Sequence, residues 1–372
     1  MSSLRPTPAR HLRHRLPGNP FPGIAALERR TGIAITARLS ANEALPLYSE
    51  ALTRLYGQAL LEEARCYPDP AAYELRHALA CHHALAIEEL LVDAGADALI
   101  FLFLRAFTDP GSVVLHSCGT YPTFAYFARS LGLVARPVDY LIDNGAPRAD
   151  LAALARQARR SQARVVYLAN PDNPTGSEHS SQAIEAFATA LPEGTLLLVD
   201  EAYEAFGQAG STRLLPNLVR LRSFSKAFGL AGARIGYAMA PAAVLEVANR
   251  TKVHYAVSGL AQRLALHALR EAAHQRLVIA ATQALRAQFV ALAQAAGMGV
   301  YPSATNFVAW EPGSAQVAER LRQRLLTQGA SLYLGCINQT VTIARVTLQP
   351  ELFTSPIRDL LLRSVEEAAY ED

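Results

Sequence analysis

The sequence predicts an α/β fold: a mainly parallel sheet with helices on both faces, joined to a smaller α+β domain. Three observations lead there. Through the middle of the chain, short apolar runs alternate with longer helical stretches, as strands and crossover helices do in a doubly covered sheet. After about Val257 that alternation gives way to a long Ala/Leu/Arg-rich helical pattern. The chain has 372 residues, 51% of them hydrophobic, enough for two or three compact units. The large domain is assigned to 41–255 and the small one to 256–372. Residues 1–40 form an N-terminal arm that also contributes to the small domain.

Arg5, Arg10, His11, Arg13, His14 and Arg15 all precede the first acid, Glu28. A transit peptide is one reading of the stretch; an ordered or partner-embracing arm is preferred, because Pro17, Pro20 and Pro22 break any long amphipathic helix there. His77, Cys81, His82 and His83 follow on one helix. The i, i+4 pair His77 and Cys81 has zinc-ligand spacing, but no further ligand pair completes a set, so the reading is an outer helix and no metal. Strands are expected at 90–92, 113–115, 165–168, 195–199, 218–222 and 235–240. Helices are expected at 98–107, 123–130, 151–158 and 183–191. Ser258 is placed to cap one long helix that runs to Ala296, where Gly297 supplies a stop. Strands at 306–310 and 341–347 then flank a helix at 315–327, and a last helix covers 357–369.

Composition excludes several classes. With 35 basic and 32 acidic residues the formal charge is +3, too balanced for a nucleic-acid-binding field. The longest apolar run, 98–104, is too short to cross a bilayer. Cys66, Cys81, Cys118 and Cys336 are scattered and form no Cys-x-x-Cys pair, which points to a reducing cytoplasm.

The chemistry is concentrated in four motifs. Ser223-Phe224-Ser225-Lys226 places a lysine after two hydroxyls at the end of a strand, and Arg234 follows eight positions later. A lone lysine is usually a solvated surface residue; one held beside a cation and partly desolvated is a nucleophile and a base. Asp200 ends the apolar run 195–199, at the strand end where α/β sheets open to ligands. Helix capping is its ordinary role; pairing with a protonated ring nitrogen is the chemical one. Asp93-Ala94-Gly95-Ala96-Asp97 opens a helix whose first amides can meet an anion. Ser223, Ser225 and Arg234 would complete a phosphate cup. Tyr121 is placed to stack on a planar ring. Tyr203 and Asn173, in Asn170-Pro171-Asp172-Asn173-Pro174-Thr175-Gly176, are placed to reach a ring oxygen. An amine, a phosphate cup and a ring-nitrogen anion are together what pyridoxal phosphate (PLP) requires.

With these motifs in place, the chain resembles the fold type I PLP enzymes of the aspartate aminotransferase superfamily, and most of all the histidinol-phosphate aminotransferases. The likeness spans nearly the whole chain. It includes Leu39-Ser40-Ala41-Asn42-Glu43, Cys66-Tyr67-Pro68-Asp69-Pro70, Tyr301-Pro302-Ser303-Ala304-Thr305-Asn306-Phe307 and Ala344-Arg345-Val346-Thr347-Leu348. The resemblance implies that Lys226 forms the Schiff base, that Asp200 holds the ring nitrogen and that Tyr203 and Asn173 hold the ring oxygen. It implies that Tyr121 stacks on the ring. Ser223, Ser225, Arg234 and the backbone at Gly95, Ala96 and Asp97 would bind phosphate. It implies that Tyr67 reaches the phosphate of a partner subunit, hence a homodimer with shared active sites. Arg345 and Asn42 become substrate-binding residues, with Arg345 gripping a carboxylate. The implied activity is transfer of an amino group from an amino donor to an oxo acid such as 2-oxoglutarate.

Departures from the family pattern bear on the substrate. Asn42-Glu43 is followed by Ala44-Leu45-Pro46-Leu47, and the glycine-rich turn ends in Ala98 in place of an acid. Tyr333 stands where an arginine near the substrate phosphate is common, and Arg15-Leu16 where a tyrosine is frequent. Histidinol phosphate is therefore expected to be a poor donor and an ordinary or specialised amino acid a better one. Two rivals remain: a PLP decarboxylase of the threonine-phosphate type, or a specialised elimination or cyclisation enzyme; and a PLP-sensing regulator, for whose DNA-binding domain too few residues precede the cofactor domain.

Overall fold

The computed structural model describes residues 24–40, 42–43, 45, 67–208 and 210–369. The basic arm, with Arg15 and Leu16, lies outside the described residues, as do Ala44, Pro46, Leu47 and Cys66.

The chain-order strands are β1 (Leu90–Asp93), β2 (Val113–Ser117), β3 (Val134–Val138), β4 (Tyr140–Asp143), β5 (Ala146–Ala149), β6 (Val165–Ala169), β7 (Leu196–Asp200), β8 (Leu218–Ser223), β9 (Gly236–Met239), β10 (Phe307–Trp310), β11 (Tyr333–Ile337) and β12 (Val341–Thr347). Seven build the large sheet, in the order β1-β9-β8-β7-β6-β2-β3. Its five strands from β8 to β3 pair in parallel, while β9 runs antiparallel between β1 and β8. The hairpin β4–β5 stands apart, and β10-β12-β11 form a small antiparallel sheet. All six apolar runs expected of the large sheet are strands. The edge strand β3, Val-Ala-Arg-Pro-Val, gave no apolar run because it is largely exposed, and its proline is tolerated at an edge. Half-exposed β11 escaped for the same reason.

The helices are α1 (Ile24–Thr31), α2 (Tyr73–His83), α3 (Ala96–Phe107), α4 (Pro122–Ser130), α5 (Leu151–Ser161), α6 (Ser181–Ala190), α7 (Ala242–Asn249), α8 (Gly259–Arg270), α9 (Ala272–Ala295), α10 (Ala315–Thr327) and α11 (Ser355–Ala369). Helices α2 to α8 cover the large sheet on both faces, because side chains alternate along a strand. Leu196 and Leu198 of β7 pack with Leu99 and Phe103 of α3 and Phe124 of α4. Leu197 and Val199 pack with Leu154 of α5 and Ile184 and Phe187 of α6. Each such leucine contributes about 1.5–3 kcal/mol by leaving water.

One expectation is corrected. The helix expected from Ser258 to Ala296 is two helices, broken at Glu271 (φ −96, ψ 56). Ser258 does cap the first, its hydroxyl accepting from the Ala261 amide at 3.2 Å. The break has a packing cause. Ala261, Ala265 and Leu266 of α8 join Leu90, Val92 and Tyr237 on the large domain. Phe289 and Ala293 of α9 join Ala37, Leu39, Trp310 and Val346 in the small-domain core. One straight helix could not serve both cores, and the 255/256 boundary falls beside a helix that belongs to the large layer. Among the described residues α9 is long and apolar enough to cross a membrane by length and composition; Val278, Thr282, Phe289 and Ala293 are its buried residues.

Behind the large sheet lies a buried ion cluster. Glu201 accepts from Arg220 and, at 3.0 Å, from Arg222 Nε. All three side chains are 10% exposed or less. Burial lowers the affinity of the Arg222 guanidinium for its proton, but Glu201 more than offsets this and raises its pKa above the ordinary value. Removing Glu201 takes the short-range partner from both buried arginines and, among the described residues, leaves Arg220 only Glu185 at 3.8 Å and Arg222 only Glu204 at 3.5 Å. Glu201→Ala should therefore cost about 3–5 kcal/mol of stability, read as a fall in the denaturant midpoint of the apoprotein. A loss under about 1 kcal/mol would mean that water or rearrangement compensates both arginines.

Candidate active site

The carboxyl ends of β6, β7 and β8 lie side by side, and the loops that leave them build one pocket. Its lining includes Lys226, Asp200, Tyr203, Asn173, Tyr121, Ala96, Asp97, Ser223, Ser225 and Arg234. Nine residues expected at the site from four separate motifs, and Tyr121 from a fifth segment, are thus brought together.

The anion end forms where α3 begins. Gly95 has φ +87, and a Cβ there would come within 2.9 Å of the Arg234 guanidinium. Only glycine lets the backbone turn there at such close approach. No side chain caps α3, so its first amides remain available to an anion. Ser223 and Ser225 close the cup, with the Ser225 amide donating to Ser223 Oγ at 3.0 Å. The Asp97 side chain has a different role. Its carboxylate accepts from the Tyr121 hydroxyl at 2.9 Å and lies 3.9 Å from Arg234 Nη2. It orients those two groups, and only its backbone belongs to the anion cup. Burial, and then Asp97, raise the Tyr121 phenol well above its ordinary pKa, so it stays a neutral donor.

At the opposite end Asp200 is buried. It accepts from the Tyr167 hydroxyl at 2.8 Å and from the Ala202 amide at 3.1 Å. Burial pushes its carboxyl up to about 6; the Tyr167 and Ala202 bonds, and the nearby Lys226 charge, act in the opposite direction. Among the described residues no cation lies within ion-pair distance of it. Tyr167 was not anticipated from sequence. The signal was there: a tyrosine inside a fully buried strand needs a partner for its hydroxyl.

Residues of the first and last segments close the pocket. Lys226 Nζ donates to the Asn42 carbonyl at 2.9 Å, and Asn42 Nδ2 donates to the Tyr203 hydroxyl at 2.8 Å. Arg345, on β12, is buried; it donates to Asn173 Oδ1 and, at 2.8 Å, to the Ser40 carbonyl. Its guanidinium stacks 4.1 Å from the Tyr333 ring centroid and 5.1 Å from that of Phe307. Burial lowers its pKa. Tyr67 does not line this pocket: it is 86% exposed, and its ring lies 5.0 Å from that of Tyr255. His77 and Cys81 do share α2, Sγ 4.0 Å from Nδ1, and no third ligand joins them among the described residues.

The site fits pyridoxal phosphate. Asp200 is a buried anion held only by neutral donors, which a protonated pyridine nitrogen would complement. Gly95 leaves the room beside Arg234 that a phosphate would take. Lys226 lies in the same pocket.

Comparison with known proteins agrees. Residues 38–352 match the family model described as aminotransferase class I and II. A histidinol-phosphate aminotransferase of Anaeromyxobacter sp. is 34% identical over 84% of this chain and 86% of its own. An aromatic amino acid aminotransferase of Corynebacterium efficiens is 33% identical over 83% of this chain and 91% of its own. The crystal structure of the Sinorhizobium meliloti histidinol-phosphate aminotransferase in complex with pyridoxal-5'-phosphate superposes with a TM-score of 0.85. It is 32% identical and covers 94% of this chain and 95% of that one.

The raised Asp200 pKa has a sign that can be tested. A carboxyl bound more tightly to its proton in the folded state stabilises below about pH 4, and that stability is lost as pH rises toward about 6. The shift from 3.8 to about 6 corresponds to about 2–3 kcal/mol. Asp200→Asn should make the apoprotein more stable than the parent by that order at pH 8, with the gap closing as pH falls from 6 toward 4. Its turnover should nevertheless collapse. Denaturant titrations of both apoproteins across this range are the check, and a pH-independent gap would contradict the buried charge.

Proposed function

We propose that this chain, which belongs to the class I and II aminotransferases and uses pyridoxal phosphate to move an amino group from an amino donor to an oxo acid, takes as donor an α-amino acid held by its carboxylate on Arg345. The observation that carries this is the placement of Arg345: a buried guanidinium, bonded to Asn173 beside the Lys226 pocket, with no carboxylate within ion-pair distance among the described residues. A donor carboxylate supplies the missing charge in a bidentate pair.

When bound, the cofactor supplies an aldehyde for the amino group and a ring that accepts the electrons released at the donor's α-carbon. The protein does the rest. Lys226 would hold the cofactor through its amine, and its Nζ would be the group that moves the α-proton. Asp200 would pair with the ring nitrogen and favour its protonated form. Asn173 and Tyr203 would orient the ring oxygen, and Tyr121 would cover the ring face. Arg345 fixes the α-carbon relative to Lys226.

Histidinol phosphate fits this site less well. A phosphate monoester carries close to two charges near neutral pH and favours several strong donors. Beside Arg345 stands the neutral Tyr333 phenol, which covers one guanidinium face and adds no second positive charge. The relatives named for histidinol phosphate make that compound the comparison donor of choice. A donor screen on purified protein, followed at the cofactor's absorbance, tests the whole reading. The expected result is stoichiometric conversion of bound PLP to pyridoxamine phosphate with an α-amino acid, a cofactor label on Lys226 after borohydride, and loss of donor affinity in Arg345→Ala by about 2–5 kcal/mol. A higher kcat/KM for histidinol phosphate than for any free amino acid would overturn the donor assignment; release of carbon dioxide without pyridoxamine phosphate would reassign the reaction to a decarboxylase.

The working unit in this reading is a cytoplasmic homodimer with shared sites. Tyr67 supports it: exposed, paired with Tyr255 and absent from the lining of the pocket, it does not serve the site of its own chain. The free cysteines Cys81, Cys118 and Cys336 agree with a reducing compartment, which cell fractionation would check. Sedimentation should give a dimer, and Tyr67→Ala should weaken cofactor binding; a fully active monomer would refute both.

A further inference from the structure

One buried titratable group has no part in the chemistry above. Asp172 lies between the two asparagines of the loop that carries Asn173, and it is 2% exposed. Its carboxylate receives four donors. Thr120 Oγ1 donates to Oδ1 at 2.8 Å. The Tyr140 hydroxyl spans both oxygens, at 3.1 and 3.0 Å. Thr175 donates to Oδ2 from its hydroxyl at 2.7 Å and from its amide at 3.3 Å. An ionised carboxylate has about four acceptor positions, and here they are filled.

The donors come from three separate segments. Thr120 precedes Tyr121, the ring-face residue, in the loop between β2 and α4. Thr175 belongs to the Asn173 loop itself. Tyr140 opens β4, and its ring packs among Tyr301, Ala309, Ile337 and Ile343, which belong to the small domain. Tyr140 also exchanges two hydrogen bonds with Asn338 in the β11–β12 turn: its amide donates to Oδ1 at 2.7 Å, and Asn338 Nδ2 donates to its carbonyl at 3.1 Å. The Asn338 amide in turn donates to the Cys118 carbonyl at 3.1 Å, just before Thr120. The strands on either side of that turn carry Tyr333 and Arg345. One carboxylate therefore ties the Tyr121 loop, the Asn173 loop and, through Tyr140 and Asn338, the hairpin that delivers Arg345.

We propose that Asp172 is a positioning residue, whose buried hub with Thr120, Tyr140 and Thr175 sets Tyr121 and Asn173 against the cofactor ring and holds the Arg345 hairpin in register with them. It touches neither cofactor nor donor. The phosphate cup of Ser223, Ser225 and Arg234 lies outside the hub and does not depend on it. The proposal rests on the cofactor-site reading given above, and its consequences separate from those of a merely structural residue. Losing the hub disturbs orientation, and misplacement by about 1 Å costs on the order of 100-fold in rate, while cofactor affinity stays close to that of the parent.

The test compares the parent, Asp172→Asn and Tyr140→Phe as full-length proteins. Four quantities are measured: cofactor affinity, visible circular dichroism of the bound cofactor, the single-turnover rate with the best donor, and apoprotein melting temperature. The expected result is cofactor affinity within about threefold of the parent, an altered dichroic band, and a rate lowered roughly 10- to 100-fold in Asp172→Asn, with a smaller change in the same direction in Tyr140→Phe. Tyr140→Phe keeps the ring in its apolar nest and removes only the hydroxyl, so it decides the matter if Asp172→Asn fails to fold. A lowered melting temperature with unchanged dichroism and rate overturns the proposal. Borohydride labelling of the parent separates the two readings: no label on Lys226 overturns the site reading and the hub with it, whereas a labelled parent matched in dichroism and rate by both variants overturns the hub alone.

Discussion

Burying the Asp200 carboxylate at the end of the central strand is the constraint on which the rest of the site depends. A carboxylate out of water costs several kcal/mol unless something answers its charge. The chain gives it two neutral donors, Tyr167 and Ala202, and no cation within ion-pair distance among the described residues. The next residue, Glu201, points to the other face of the sheet and receives two arginines. Two successive carboxylates thus meet opposite fates, because alternate side chains of one strand face opposite layers. Glu201 and its arginines anchor the back of the sheet. Asp200 is left under-compensated at the front, where a ligand can complete it.

Arg345 is the mirror image. It is a buried guanidinium, its pKa lowered by desolvation, with two neutral acceptors and an aromatic ring on its face. One buried anion and one buried cation therefore stand near a single pocket without meeting each other. Asn173 bonds Arg345 and lines the pocket with Asp200. A direct pair would neutralise both and leave nothing for ligands to bind. The separation leaves both charges open to ligands of opposite sign, and a ligand that binds only the folded protein stabilises it.

Much of this was legible in the sequence because it is written in contiguous motifs. Lys226 with its two serines, Asp200 with Tyr203, and the Asn170–Gly176 loop each carry several functional residues in a few positions, and local chemistry identifies them. What was not legible depends on long-range packing. Tyr167 reaches Asp200 across two neighbouring strands. The helix after Ser258 breaks at Glu271 because two cores claim its two halves, and periodicity alone does not register that change of partner. The exposed strands β3 and β11 lack the apolar runs that betrayed the buried ones. Asp97 was read by position as part of the phosphate turn; only geometry shows its carboxylate turned to Tyr121.

Asp172 shows the same limit from the other side. In sequence it is the variable letter of a turn motif, flanked by residues whose roles are plain. In the fold it gathers a threonine 52 positions away and a tyrosine 32 positions away around one carboxylate. Turn residues are free to vary where a loop meets solvent. This loop is buried, so a polar side chain inside it must find partners, and the partners it finds belong to the other loops of the site. The demand that buried polar groups be satisfied thus couples elements that the motifs describe one at a time. Lys226, Tyr121 and Arg345 come from distant parts of the chain, and an orientation shared among them needs such a link, since hydrophobic packing is non-directional and hydrogen bonds are not.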